Sequence, residues 1–303
     1  MSISRRTFIR NGALTIAGGT LLSDQLMASM RRTKGELTGI QLYSIREDMK
    51  VDPMGTLKAL SEMGYKNVEH ANYVNRKFYG WSAKEFKKIL DDLGMKMPSG
   101  HTVMTSQHWD ESKKDFTDSW KATVEDAAIA GQQLVISPWL EEGKRKNYDD
   151  LIRYLDVFNK SGELCNKSGM KFGYHNHDFE FSQTLNGKQI FDIILNNTDP
   201  KLVAQQLDMG NMYNGGAKAL DIMNKYPGRF LSMHVKDEII ATEGNEKYES
   251  AILGTGIVPV KEVIDLGRKF GTKHFIIEQE SYQGKKPLET AKEDLAIMKK
   301  WGY

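Results

Sequence analysis

From about residue 36 onward one unit recurs: an amphipathic helix, a glycine, then a short apolar strand. Leu57–Met63 gives way to Gly64 and Tyr-Lys-Asn-Val-Glu-His, and Phe86–Leu93 to Gly94 and Met-Lys-Met-Pro-Ser-Gly-His. Ala122–Ala130, Leu151–Ser168 and Val263–Phe270 lead through Gly131, Gly169 and Gly271 into three more apolar runs. A glycine at that place supplies the left-handed residue that ends a helix. An unbroken apolar run is the pattern of a parallel strand buried on both faces. Parallel neighbours need a crossover between them, so the alternation implies β-α-β units.

Eight strands are expected, at Leu37–Tyr43, Asn67–His70, Lys96–His101, Gln133–Ser137, Lys171–His175, Val203–Asp208, Phe230–Val235 and His274–Glu278. Helices are expected near 53–63, 82–93, 115–130, 148–168, 189–195, 216–226, 259–270 and 288–300. Eight such units predict an α/β fold, a single-domain (β/α)8 TIM barrel over 35–303. A doubly wound open sheet is the competing architecture, but no Gly-rich phosphate loop follows the first strand.

The first 34 residues are of another kind. Ser4-Arg5-Arg6-Thr7-Phe8-Ile9-Arg10 reads as the basic region of a twin-arginine export signal, and Asn11–Ser23 as its short Gly/Ala-rich apolar region. Cleavage is expected near Ala28 or Ser29, which predicts a periplasmic protein. No apolar run reaches the ~18 residues of a membrane span. The whole chain is +2 and residues 1–34 contribute +5, so the remainder is −3. A mildly acidic body has no electrostatic claim on nucleic acid. The one cysteine, Cys165, rules out an internal disulfide and reads as a small buried side chain. Nothing in the sequence fixes the oligomeric state.

In such barrels the C-terminal strand ends line the active site. Here Gln41 ends strand one, His70 strand two and His101 strand three; strand five runs into Tyr174-His175-Asn176-His177-Asp178-Phe179-Glu180. Strand six ends at Asp208, just before Asn211, strand seven in His234-Val235-Lys236-Asp237, and strand eight in Glu278-Gln279-Glu280. Five of the seven histidines therefore fall on one rim. Carboxylates mixed with imidazoles make an N/O site for one divalent metal ion (Mn2+, Mg2+, Co2+ or Zn2+) with positions left for substrate oxygens. Such an ion polarises a carbonyl and eases loss of a neighbouring C–H proton. No G-x-S-x-G elbow argues for a serine nucleophile. Trp81, Trp109, Trp139 and Tyr282 are candidates to stack on a sugar ring or to pack in the rim.

With Gly39-Ile40-Gln41-Leu42-Tyr43-Ser44, Glu62 to Glu69, Tyr174 to Phe181, His234 to Asp237 and Ile277-Glu278-Gln279 in place, the chain resembles the sugar phosphate isomerase/epimerase family with its xylose-isomerase-like barrel. The resemblance implies one metal held by Glu, Asp, His and Glu, and Asp208, His234 and Glu278 match the last three. For the first, Glu180 is preferred over His175, which stands where the sugar epimerases have a glutamate. His175 and His177 are then proton-handling or substrate-facing, Lys236 an electrophilic or orienting group, and Gln41, His70, His101 and Asn211 substrate contacts. With Glu180 and Glu278 as acid and base, the expected function is a sugar isomerase or epimerase working through an enediolate. The alternative is a 3-keto-glycoside lyase or inosose-type dehydratase, in which the same proton abstraction expels a β substituent. A DNA-repair nuclease, a more distant relative, fits neither the charge nor the ligand count.

Overall fold

The computed structural model describes residues 37–242 and 244–303. The twin-arginine segment and its cleavage site lie outside these residues. Eight parallel strands close into a barrel: β1 Leu37–Gln41, β2 Asn67–His70, β3 Lys96–His101, β4 Leu134–Ser137, β5 Lys171–His175, β6 Val203–Asp208, β7 Phe230–Val235 and β8 His274–Ile277. Each pairs with its sequence neighbours, and β8 closes on β1 with Leu37 opposite His274 and Ile40 opposite Ile277. The principal helices are α1 Pro53–Met63, α2 Ala83–Asp92, α3 Asp118–Ala130, α4 Tyr148–Asn166, α5 Ile190–Asn197, α6 Ala219–Lys225, α7 Val260–Phe270 and α8 Pro287–Trp301. The chain is the single-domain TIM barrel expected, with strand one ending two residues early in a 3-10 turn, Leu42–Ile45.

Local chemistry sets the helix limits. Asp52 accepts the Gly55 amide at the start of α1, where Pro53 fixes the first φ, and Gly64 closes the helix at φ 102°. Ser82 and Glu85 form a reciprocal capping box at α2.

Strand alternation divides the core. Outward residues such as Val68, Met233, Val235, Phe275 and Ile277 pack against the helices. Inward residues at the N-terminal end, Leu134, Ile136 and Ala204, form a small apolar plug. Gly173 faces that plug; a Cβ there would stand 2.9 Å from Ile136 Cγ1. Above the plug the barrel interior turns polar.

Candidate metal centre and active site

Asp208, His234 and Glu278, at the ends of β6, β7 and β8, bring one ligand atom each to within 4.8 Å of one another. His234 Nδ1 lies 2.9 Å from Glu278 Oε2 and 3.7 Å from Asp208 Oδ2. Asp208 Oδ1 accepts the Gly210 and Asn211 amides at 2.8 and 2.7 Å, which locks the carboxylate. Its Oδ2 is buried and has no hydrogen-bond partner. His175 Nε2 stands 3.8 Å from that oxygen. A buried, orphaned carboxylate oxygen facing an imidazole and a second carboxylate suits a divalent cation, and a second grouping of His101, His175 and His234 adjoins it through His234. Burial opposes protonation of His234, yet Glu278, Glu69 and Asp208 overcome it and hold its pKa well above the ordinary imidazole value. The cluster attracts positive charge.

Beneath it lies a residue that motif reading left without a role. Glu69, fully buried on β2, accepts Gln41 Nε2 at 2.8 Å on Oε1, and Ser99 Oγ at 2.5 Å and Gln206 Nε2 at 2.9 Å on Oε2. His234 Nε2 donates to Glu69 Oε1 at 2.7 Å, and His101 Nε2 lies 3.2 Å away. Burial alone would raise the Glu69 pKa; His101, His234 and Ser99 reverse this and hold it far below the usual carboxylate range. An ionised carboxylate only accepts, so Glu69 keeps a proton on His234 Nε2, and Nδ1, which faces Glu278 and Asp208, is the nitrogen that would lose its proton to a bound cation. The available signal was alternation: Val68 is apolar and outward, so Glu69 must point in and His70 out.

His70 does point out. It is fully buried, its ring centroid 4.7 Å from that of Phe78, and both ring nitrogens lack partners. Burial lowers its pKa to about 3, so it is a neutral packing residue in the space that Gly100 leaves, not the substrate contact expected. Gln41 is likewise corrected: it points inward but is buried on Glu69 and does not line the cavity. The preference for Glu180 as first ligand also fails. Its Oε2 accepts the His177 amide at 2.9 Å and its Oε1 the Tyr174 hydroxyl, and burial raises its pKa to about 7. It sits on the short helix Phe179–Ser182, beyond the strand end, and serves to hold the 175–179 turn, whereas His175 Nε2 approaches Asp208 Oδ2 to 3.8 Å.

The other expected residues meet in a cavity of about 640 Å3 over the barrel mouth, lined by His101, His175, His177, Asn211, Lys236 and Glu278 among others. Lys236 pairs with Glu280 and donates to Asn211 Oδ1 at 3.2 Å, and its Nζ lies 3.4 Å from Glu278 Oε2. Burial works against its charge, but Asp208, Glu280 and Glu278 keep it protonated. Asp237, beside it in sequence, takes no part in this; it accepts the Gly254, Gly256 and Val258 amides and anchors that loop. His177 lines the cavity with its Nδ1 buried and unpartnered; burial lowers its pKa to about 4 despite Asp208 nearby. Of the four aromatic candidates only Trp139 lines this cavity, 41% exposed and edge-on to His177; Trp81 and Trp109 pack on Phe86 and Phe116, and Tyr282 donates to the Ser44 carbonyl.

Residues 57–301 match the family described as xylose isomerase-like TIM barrel, and the chain belongs to that family. Among named relatives, an inosose dehydratase of Clostridium beijerinckii is 27% identical over 266 residues, covering 81% of this chain and 85% of that one. A sugar phosphate isomerase/epimerase structure from Parabacteroides distasonis is 26% identical with TM-score 0.74, covering 88% of this chain and 94% of that one. The IOLI protein, crystallised with a binding zinc atom, shares the fold at TM-score 0.67 and 12% identity over 88% of this chain and 98% of that one. The protein is thus a member of a sugar-processing enzyme superfamily whose relatives include both dehydratases and isomerases. Among its described residues no helix is long and apolar enough to cross a membrane.

Proposed function

We propose that the protein is a divalent-metal-dependent lyase that removes the proton beside the ketone of a keto-sugar or cyclitol and expels the oxygen substituent one carbon further on. The observation that carries this is the withdrawal of Glu180 from the cavity. Epimerisation asks for a proton acceptor and a proton donor on opposite faces of one carbon, and Glu180 facing Glu278 was that pair. With Glu180 tied to Tyr174 and the His177 amide, and Glu280 tied to Lys236, the proton acceptor falls to a cavity imidazole, and we assign it to His177, which burial keeps neutral. A single group can serve elimination, because the proton it takes is the proton the departing oxygen needs.

Asp208, His234 and Glu278, with His175, are the residues to hold the metal. When bound, it supplies Lewis-acid polarisation of the ketone oxygen. His177 accepts the α proton as the C–H pair becomes the new C=C bond and the neighbouring C–O bond breaks. It then returns that proton to the leaving oxygen, giving an enone and an alcohol or water, with no oxidant or reductant required. Lys236 and Asn211 orient the substrate's hydroxyls, and His101 closes the floor of the cavity. The relatives named inosose dehydratase support this reading. The isomerase or epimerase reading retains the likeness to the Parabacteroides structure and shares the first proton abstraction. We read the twin-arginine segment as an export signal, and export supports the lyase, because a periplasmic enzyme meets oxidised glycosides more readily than sugar phosphates.

The test is incubation with Mn2+ and either a 3-keto-glucoside or an inosose, followed by mass spectrometry. Loss of an alcohol or water, abolished by EDTA and restored by Mn2+, supports the lyase. A product of unchanged mass with an inverted centre overturns it in favour of the epimerase.

A further inference from the structure

Beside the metal cavity lies a second one, of about 720 Å3, between the hairpin loop 71–76 and the first turns of α3. The two share Ala71, His101 and Val103 in their walls, so they adjoin across the His101 ring. Each falls in the ~300–1,000 Å3 range that houses a whole small ligand. One ketone-bearing ring over the metal cluster fills only the first.

The second cavity has rigid walls. Asp126 on α3 accepts Tyr73 Oη at 2.6 Å and grips Arg76 through Nε at 2.9 Å and Nη2 at 2.8 Å, which straps the hairpin to the helix. His108 forms the far end: its Nδ1 accepts the Thr105 amide at 3.0 Å, so its proton is on Nε2, and its ring packs on buried Trp120 at 5.0 Å. The lining offers amides and hydroxyls from Asn72, Asn75 and Ser119 beside the Tyr73 ring. Its one basic side chain, Arg76, is occupied by Asp126 and Glu125. No cation is therefore left there for a phosphate, whereas hydrogen-bonding side chains next to an aromatic ring suit an uncharged polyol.

We infer that this second cavity is a leaving-group subsite that takes an uncharged sugar ring, so that the substrate is a keto-disaccharide or similar glycoside, not a single ring. The inference rests on the lyase reading above. The scissile C–O bond then passes beside His101, with the ketone ring over the metal cluster and the departing sugar against Tyr73 and His108.

The test fills the subsite from each wall, with Ala122→Trp on α3 and Val74→Trp on the loop, neither residue belonging to the catalytic set or supplying a polar contact. Manganese-loaded enzyme is assayed with 3-keto-cellobiose and with methyl 3-keto-glucoside. Both variants are expected to raise KM for the disaccharide by roughly tenfold or more while leaving kcat/KM for the methyl glycoside within about twofold. Equal losses on both substrates, or none on either, overturn the subsite. If wild-type enzyme eliminates neither substrate, the lyase reading fails by itself. The subsite is then judged by calorimetry, where cellobiose must bind more tightly than methyl glucoside and both variants must erase the difference; equal affinities in wild type overturn it.

Discussion

Glu69→Gln isolates the role of the carboxylate beneath the metal cluster. The side chains are isosteric, so the change removes charge and turns one acceptor oxygen into a donor amide. If the new amide takes the Oε1 place it confronts Gln41 Nε2 and His234 Nε2; in the Oε2 place it confronts Ser99 Oγ and Gln206 Nε2. Ser99 can rotate to accept, but Gln206 cannot flip freely, because its Oε1 lies 2.7 Å from His101 Nε2 and 3.0 Å from His175 Nδ1. At least one buried bond is lost and the rest lose their ionic acceptor. At roughly 1.5–3 kcal/mol per hydrogen bond to a charged group, the destabilisation is about 3–5 kcal/mol. His234 also loses the anion that fixes its tautomer, which weakens metal binding by roughly 10- to 100-fold. Guanidinium denaturation of the metal-free protein and calorimetric Mn2+ titration measure the two effects separately. Metal affinity within about twofold of wild type, together with a stability change below about 0.5 kcal/mol, would refute the assignment of Glu69 as the residue that orients His234.

Two further outcomes follow from buried carboxyls elsewhere. Glu180→Gln keeps an acceptor for the His177 amide and a partner for Tyr174, so Mn2+ affinity should stay within about threefold of wild type while Asp208→Asn lowers it at least about tenfold; equal losses in calorimetry would return Glu180 to the ligand set. Asp294, on α8, is pushed up to about 7 by burial, although it accepts the Leu253 amide at 2.9 Å. Its raised pKa means that the folded protein keeps a proton the unfolded chain loses, so this contribution to stability is full below about pH 4, falls as pH rises towards 7, and is flat above. Asp294→Asn abolishes that fall, and its stability relative to wild type should improve by up to about 4 kcal/mol between pH 4 and pH 8. Parallel denaturation midpoints for the two proteins across that range would contradict the argument.

The sequence by itself determined the barrel. Six of the eight strands keep the expected last residue, because glycine caps such as Gly64, Gly131 and Gly271 and the apolar runs after them are local signals that need no tertiary partner. It also picked out Asp208, His234 and Glu278, through the resemblance of the motifs that carry them to a metal-binding family. What it left open was partners and distance. Alternation from Val68 can tell that Glu69 points into the barrel and His70 out, but only closure of β2 against β1 and β3 shows what each meets there, His234 and Gln41 for the glutamate and Phe78 for the histidine. His175 and Glu180 are five residues apart at the same strand end, and only the turn between them, pinned by the His177 amide and the Tyr174 hydroxyl, carries Glu180 away from the cluster. A strand end tells where a side chain begins; where its charged atoms stop depends on partners that arrive from other strands.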